Sequence, residues 1–446
     1  MKPILITGGR VIDPARNHDG IADLLLVDGT IAGMGKGLSA PDGAERIDAT
    51  GLVVAPGFVD LHVHLREPGR EDAETIATGA RAAVAGGFTS VCAMPNTDPV
   101  CDNQSAVGFV IKQAQAAGTA RVHPIGAVSL GQRGEQLTEF GEMVAAGAVA
   151  VSDDGKPVAT AHLMRTALEY ARTFEIPVID HCEDRSLAEG AAMHEGLTSA
   201  RLGIKGMPRA AEDLIVARDI LLAELTGGHV HLAHMSTAGS VRLIREARSR
   251  GVRVTAEVTP HHLTLTDVCC EGYNTNAKMN PPLREPADVD ATKKALADGT
   301  IDCIATDHAP HPYDAKETEF DFAPFGVVGL ETALGIAIAE LVEPGIMGLA
   351  ALVRCLTSVP ASIVHLPAGT LARGTAADVV VFDPGEPWTV DPAAFHSKSR
   401  NTPFAGRALR GRVRWTMVGG RVVHRAEASE RLSFTQAPPR REGAGS

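Results

Sequence analysis

From Leu52 to His365 the chain alternates short apolar runs of β type with longer stretches at helical period, and eight such runs can be counted. That pattern constrains the fold more than any other feature, because parallel strands need crossover connections and helices are the usual means. The candidate strands are Phe58–Leu65, Thr89–Met94, Val122–Ala127, Ala148–Ser152, Pro177–Asp180, His229–Ala233, Val252–Val258 and Ile301–Ala305. Periodic helices lie between them, such as the one carrying Leu214, Ala217, Leu221 and Leu225 on one face. Eight βα units in this span fit an α/β fold of one closed (β/α)8 TIM barrel, whose reactive groups sit at the C-terminal ends of the strands.

The flanks read differently. Leu24–Val27 and Thr30–Met34 are joined by Asp28-Gly29, and Trp415–Val418 and Arg421–Val423 by Gly419-Gly420, so each end holds a two-residue hairpin. Neither piece alone supplies a stable sheet. The expectation is a small composite β-sandwich from residues 1–53 and 368–430 beside a barrel over 54–367. The tail over 431–446, rich in Pro, Arg and Gly, is expected to be disordered.

With 446 residues, 44% hydrophobic and 22% charged, the chain has the balance of an ordinary globular protein. A net charge of −12 argues against nucleic acid or an anionic membrane as partner, since both demand a basic surface. No uncharged apolar run is long enough to span a bilayer, so a cytoplasmic location is expected. Seven cysteines without a C-x-x-C pair leave any metal to His and carboxylate.

The strongest chemical signal is Asp60-Leu61-His62-Val63-His64 at the end of the first barrel strand, where alternation places both imidazoles on one face. His181 closes the fifth strand, His234 follows the sixth and Asp307 follows the eighth. Singly, each is more often a hydrogen-bonded strand-end residue. Together at one barrel mouth they point to a nitrogen and oxygen ligand set, suited to Zn²⁺ and compatible with Mn²⁺ or Co²⁺. Arg66, two residues past His64, is read as facing the same way, with a surface ion pair to Glu67 or Glu71 as the alternative. His231 is read as a core or supporting histidine, and His261-His262 as support for the site or its lid. The long 312–325 run has the length of a lid loop.

The runs His62-Val63-His64-Leu65-Arg66-Glu67-Pro68-Gly69, Met94-Pro95-Asn96-Thr97, Asn280-Pro281-Pro282-Leu283-Arg284 and Asp307-His308-Ala309-Pro310-His311 together resemble the dihydroorotase family, in its long bacterial type within the amidohydrolase superfamily. The resemblance implies reversible cyclisation of N-carbamoyl-L-aspartate to L-dihydroorotate in pyrimidine (UMP) biosynthesis. It implies one or two zinc ions, with His62, His64 and Asp307 on one, His181 and His234 on a second, and Asp154 where many relatives carry a carboxylated lysine. On a strand only one of Asp153 and Asp154 can face the site, and a simple turn at Asp153-Asp154-Gly155 is the competing reading. By the same resemblance Asp307 carries the proton, and substrate is held by His64, Arg66, Asn96, Asn280, His311, Phe325 and Gly326. A related hydrolase of dihydropyrimidines, hydantoins or allantoin is the alternative. A homo-oligomer is expected, and a complex with aspartate transcarbamoylase is left open.

Overall fold

The computed structural model describes residues 2–426, so the tail expected over 431–446 lies outside them. Five strands come first: Ile4–Asp13 (β1), His18–Val27 (β2), Thr30–Gly35 (β3), Glu45–Asp48 (β4) and Val53–Pro56 (β5). The β2–β3 turn is Asp28-Gly29, with φ of 48° and 78°, the left-handed pair that matches the strands' own twist.

The barrel strands follow as Phe58–Val63 (β6), Phe88–Ala93 (β7), Arg121–Pro124 (β8), Val151–Ser152 (β9) and Val178–Asp180 (β10). A short pair outside the barrel, Met193–His194 (β11) and Gly206–Met207 (β12), precedes Val230–Leu232 (β13), Val254–Val258 (β14) and Cys303–Ile304 (β15). Parallel ladders run β6-β7-β8 and β9-β10-β13-β14-β15. Parallel bridges at Gly126↔Val151 and Val63↔His308 join the two runs into a closed ring of eight. Both β6 and β7 are buried along their whole length, as strands covered by helices outside and filled by side chains inside must be. The regular ladders of β9 and β15 are shorter than the expected strands, although Val149 N still donates to Pro124 O and Ala305 N to Val258 O.

Three strands complete the described residues: Val379–Thr389 (β16), Ala408–Val418 (β17) and Arg421–Arg425 (β18). They join the first five in one eight-stranded sheet ordered β18-β17-β16-β5-β1-β2-β3, with β4 on β1. Ile6, Leu24, Leu26, Ile31, Val54, Val379 and Val381 meet in a core of the sheet's own, without barrel residues. The alternate residues Val380 and Phe382 face the barrel, where Phe382 stands 6.0 Å from Phe58 between ring centroids.

One helix differs from expectation. In Ala210–Thr226, Leu214, Leu221 and Leu225 point to solvent, while Ile215, Val216, Ile220 and Ala223 are buried. This helix carries apolar periodicity on two faces, and the neighbouring barrel takes the branched one.

Candidate active site

Strand ends bring the predicted residues together. His62 is fully buried, donating from Nδ1 to Glu257 Oε1 at 2.8 Å and turning Nε2 to Asp154 Oδ2 at 3.4 Å and Asp307 Oδ1 at 3.6 Å. His64 donates from Nδ1 to Asn96 Oδ1 at 2.8 Å, and its Nε2 lies 3.1 Å from Asp307 and 3.4 Å from Asp154. His181 Nδ1 and His234 Nε2 stand 3.0 Å apart, each 3.4 Å from Asp154 Oδ1. Asp154 therefore touches all four imidazoles. Its neighbour Asp153 points away and accepts from Ser129 N at 3.0 Å and from Ser129 Oγ at 2.5 Å.

These distances suit an ion. A tetrahedral zinc with bonds of about 2.0–2.1 Å to nitrogen separates its ligand atoms by roughly 3.3 Å. His62 Nε2 and Asp154 Oδ1 are buried without a hydrogen-bond partner, a costly state unless something else occupies their lone pairs. His62, His64 and Asp307 form one group able to hold a metal, and His62, Asp154 and His234 an overlapping one. Burial disfavours charge here, yet it is outweighed: His62 and the neighbouring imidazoles hold Asp154 and Asp307 below the usual carboxylate range. Against the same burial, contacts with Asp154 and Glu183 push His181 up to about 10.

Above this cluster lies a cavity of about 350 Å³ lined by His64, Arg66, Asn96, Asp154, His181, His234, Asn280, Asp307, His311, Phe325 and Gly326. Arg66 reaches it by a different route from the one expected. The strand ends at Val63, and Arg66 sits in the left-handed region at φ 62°, its Nε donating to Pro310 O at 3.1 Å. Glu67 and Glu71, its partners in the surface reading, accept instead from Ile76 N at 2.8 Å and Gly69 N at 2.9 Å. Burial lowers the Arg66 guanidinium to about 10, still charged at neutral pH. His234 and Asp307 are left-handed too, at φ 39° and 46°, so three non-glycine residues of one site hold strained backbone. His311 donates from Nε2 to Phe325 O at 2.7 Å and is held neutral, down to about 3, by burial and by Arg66.

Sequence reasoning missed four supporting residues. Glu257 on β14 bridges His62 and His231, the latter at 3.1 Å; an acid inside an apolar strand was the available signal. Glu183 accepts from Asn280 Nδ2 at 2.7 Å. Lys278 and Lys316 pin the 312–325 loop: Lys278 Nζ donates to the carbonyls of Phe320 and Asp321, and Lys316 Nζ to those of Thr275, Lys278 and Pro324. His262 binds Thr259 Oγ1 and donates to Pro281 O, beside Asn280.

A closed (β/α)8 barrel with imidazoles and carboxylates converging at its strand ends defines the class of cyclic amidohydrolases. The solved structures agree: L-hydantoinase (dihydropyrimidinase) of Arthrobacter aurescens matches with a TM-score of 0.84 and 25% identity, covering 95% of this chain and 96% of that one. D-hydantoinase (dihydropyrimidinase) of Thermus sp. matches at 0.80 and 26%, covering 95% and 97%. Within that class, residues 51–240 match the dihydro-orotase-like family model. Relatives named dihydroorotase from Anaeromyxobacter dehalogenans and Pelobacter propionicus are 57% and 54% identical, covering 96% and 95% of this chain and 99% of each relative. The chain belongs to the dihydroorotase family and is a cyclic amide hydrolase of that kind.

Proposed function

We propose that the strand-end cluster holds one or two zinc ions, with Mn²⁺ or Co²⁺ as substitutes, through His62, His64, Asp154, His181, His234 and Asp307. The reaction is the family's: N-carbamoyl-L-aspartate closes to L-dihydroorotate with loss of water, and the reverse opens the ring. The observation that carries this reading is the contact of Asp154 with four imidazoles beneath a cavity that also presents an arginine.

A bound metal lowers the pKa of water and polarises the amide carbonyl. Asp307 does the proton work. Its carboxylate, ionised beside His62 and His64, takes the proton from attacking water and delivers it to the departing ring nitrogen. In synthesis the same oxygen takes a proton from the carbamoyl NH2 as that nitrogen attacks the side-chain carboxylate, and hands it to the carboxylate oxygen, whose C–O bond breaks and which, with a second proton from solvent, leaves as water. Arg66, with Asn96 and His311, grips the carboxylate that does not react, and Asn280 and the backbone of Phe325-Gly326 hold the ring.

The boundary expected at 53/54 moves to Pro56, because β5 pairs with β1 and β16 of the sheet; residues 57–367 are read as the catalytic unit and 2–56 with 368–426 as the flanking sheet. No helix among the described residues is long and apolar enough to cross a membrane. A cytoplasmic homo-oligomer, open to association with aspartate transcarbamoylase, is the reading we adopt. The test is turnover of the purified protein on dihydroorotate, dihydrouracil, hydantoin and allantoin, with metal measured on the same sample. Preference for dihydroorotate and at least about one metal per chain are expected. Preference for a neutral ring, or full activity after chelation, overturns the assignment.

A further inference from the structure

The loop joining β16 to β17 leaves the terminal sheet and crosses to the barrel mouth. Ser399 Oγ donates to Ala73 O at 2.7 Å, Lys398 N to Glu74 Oε1 at 3.1 Å, and Ser397 Oγ bonds Glu74. At the end of this crossing Asn401 is buried, only 5% exposed. Its Nδ2 donates to Ala309 O at 3.0 Å and Gly326 O at 3.1 Å, and its Oδ1 accepts from His311 N at 3.1 Å. Its own carbonyl accepts from Val328 N at 2.9 Å. One side chain thus ties the segment after β15 to the far end of the 312–325 loop.

Two carbonyls that need donors and one N–H that needs an acceptor match a primary amide and no other side chain of that size. The pattern also fixes the amide's orientation. His311 and Gly326 line the cavity; a parallel bridge between His308 and Val327, with Ala309 N donating to Val327 O at 2.8 Å, joins their segments behind it, and Asn401 adds the ties that lie nearest the His311 to Phe325 hydrogen bond. We infer that Asn401, supplied by the terminal sheet, is a positioning residue for substrate binding: it sets the distance between His311 and Phe325-Gly326 without touching the reacting atoms or the metal ligands. The inference rests on the proposed substrate role of those residues.

Asn401→Asp keeps the volume but faces two carbonyls with no donor, and Asn401→Ala removes the amide without placing a carboxylate there. Losing buried hydrogen bonds of this kind corresponds to roughly a tenfold rise in KM for dihydroorotate. The expected result in either variant that folds is that rise, with kcat within about threefold and metal per chain unchanged, the mark of lost ground-state and transition-state binding alike. His311→Ala is run beside them. If it raises KM and both Asn401 variants leave KM untouched, this inference fails while the substrate reading stands. If none of the three changes KM, the substrate reading of the loop fails and this inference with it. A fall in kcat accompanied by loss of metal overturns the positioning role, because Asn401 then supports the whole site.

Discussion

Arg66 and Glu257 show how differently single residues announce themselves. Arg66 was legible because it follows His64 so closely, but its route into the cavity was not, since a left-handed residue breaks the strand's alternation. Dihydroorotate and dihydrouracil differ by one carboxylate, and a protein of charge −12 opposes an anion unless a local cation offsets it. Arg66→Met is expected to cost roughly 2–5 kcal/mol in transition-state binding of dihydroorotate and to leave residual dihydrouracil turnover nearly unchanged; steady-state kinetics on both substrates decide, and equal losses would make Arg66 a structural residue. Glu257 was illegible for a simpler reason. It lies 195 residues from the imidazole it orients, and only closure of the barrel brings them to 2.8 Å. By holding Nδ1–H of His62 it turns Nε2 to Asp154 and Asp307, where the metal is proposed to bind, so Glu257→Gln is expected to weaken metal binding about 10–100-fold. Competition with a chelator measures this, and unaltered affinity would leave Glu257 as a buried partner of His231 alone.

Periodicity located the helix Ala210–Thr226 at the level of elements but picked out its solvent face, since a count of apolar spacings cannot tell two stripes apart. Leu221→Ser is expected to change stability by no more than about 0.5 kcal/mol, whereas Ile220→Ala should cost about 2–5 kcal/mol; denaturant melts of both variants check the pair, and the reverse ranking would return the core to the leucine face. The 312–325 loop was recognisable by length, yet its attachment was not, because the acceptors of Lys278 and Lys316 are backbone carbonyls that any residue carries. Burial and the nearby Lys278 lower Lys316 to about 7 from 10.5. The unfolded chain therefore binds more protons than the native one between those values, and the burial penalty is relieved as pH rises through that window. Relative to Lys316→Met, the native protein should gain stability from pH 7 to 10, and a pH-independent difference between the two would show an ordinary lysine there.

For the molecule as a whole, the barrel could be read because each of its strands leaves a local apolar mark, and the terminal hairpins because their turns are local too. Their union, expected as a small sandwich, could only be argued from insufficiency, each half having too few strands to stand alone, and its hydrogen bonds run through one eight-stranded sheet. That union has a consequence for synthesis. β5 pairs with β1 on one side and with β16 on the other, Val379 opposite Pro56, so it gains its second partner only after the whole barrel between them has been made. Until then Val53, Val54 and Ala55 border an open edge, the kind of surface on which nascent chains adhere to one another. A chain ending at Ala377 should accordingly be cut rapidly by protease within residues 4–56, where the full chain resists, and equal resistance would show that the first five strands close without the last three. A strand made after the barrel thus seals one made before it, and translation that halts within the barrel leaves the edge of β5 open.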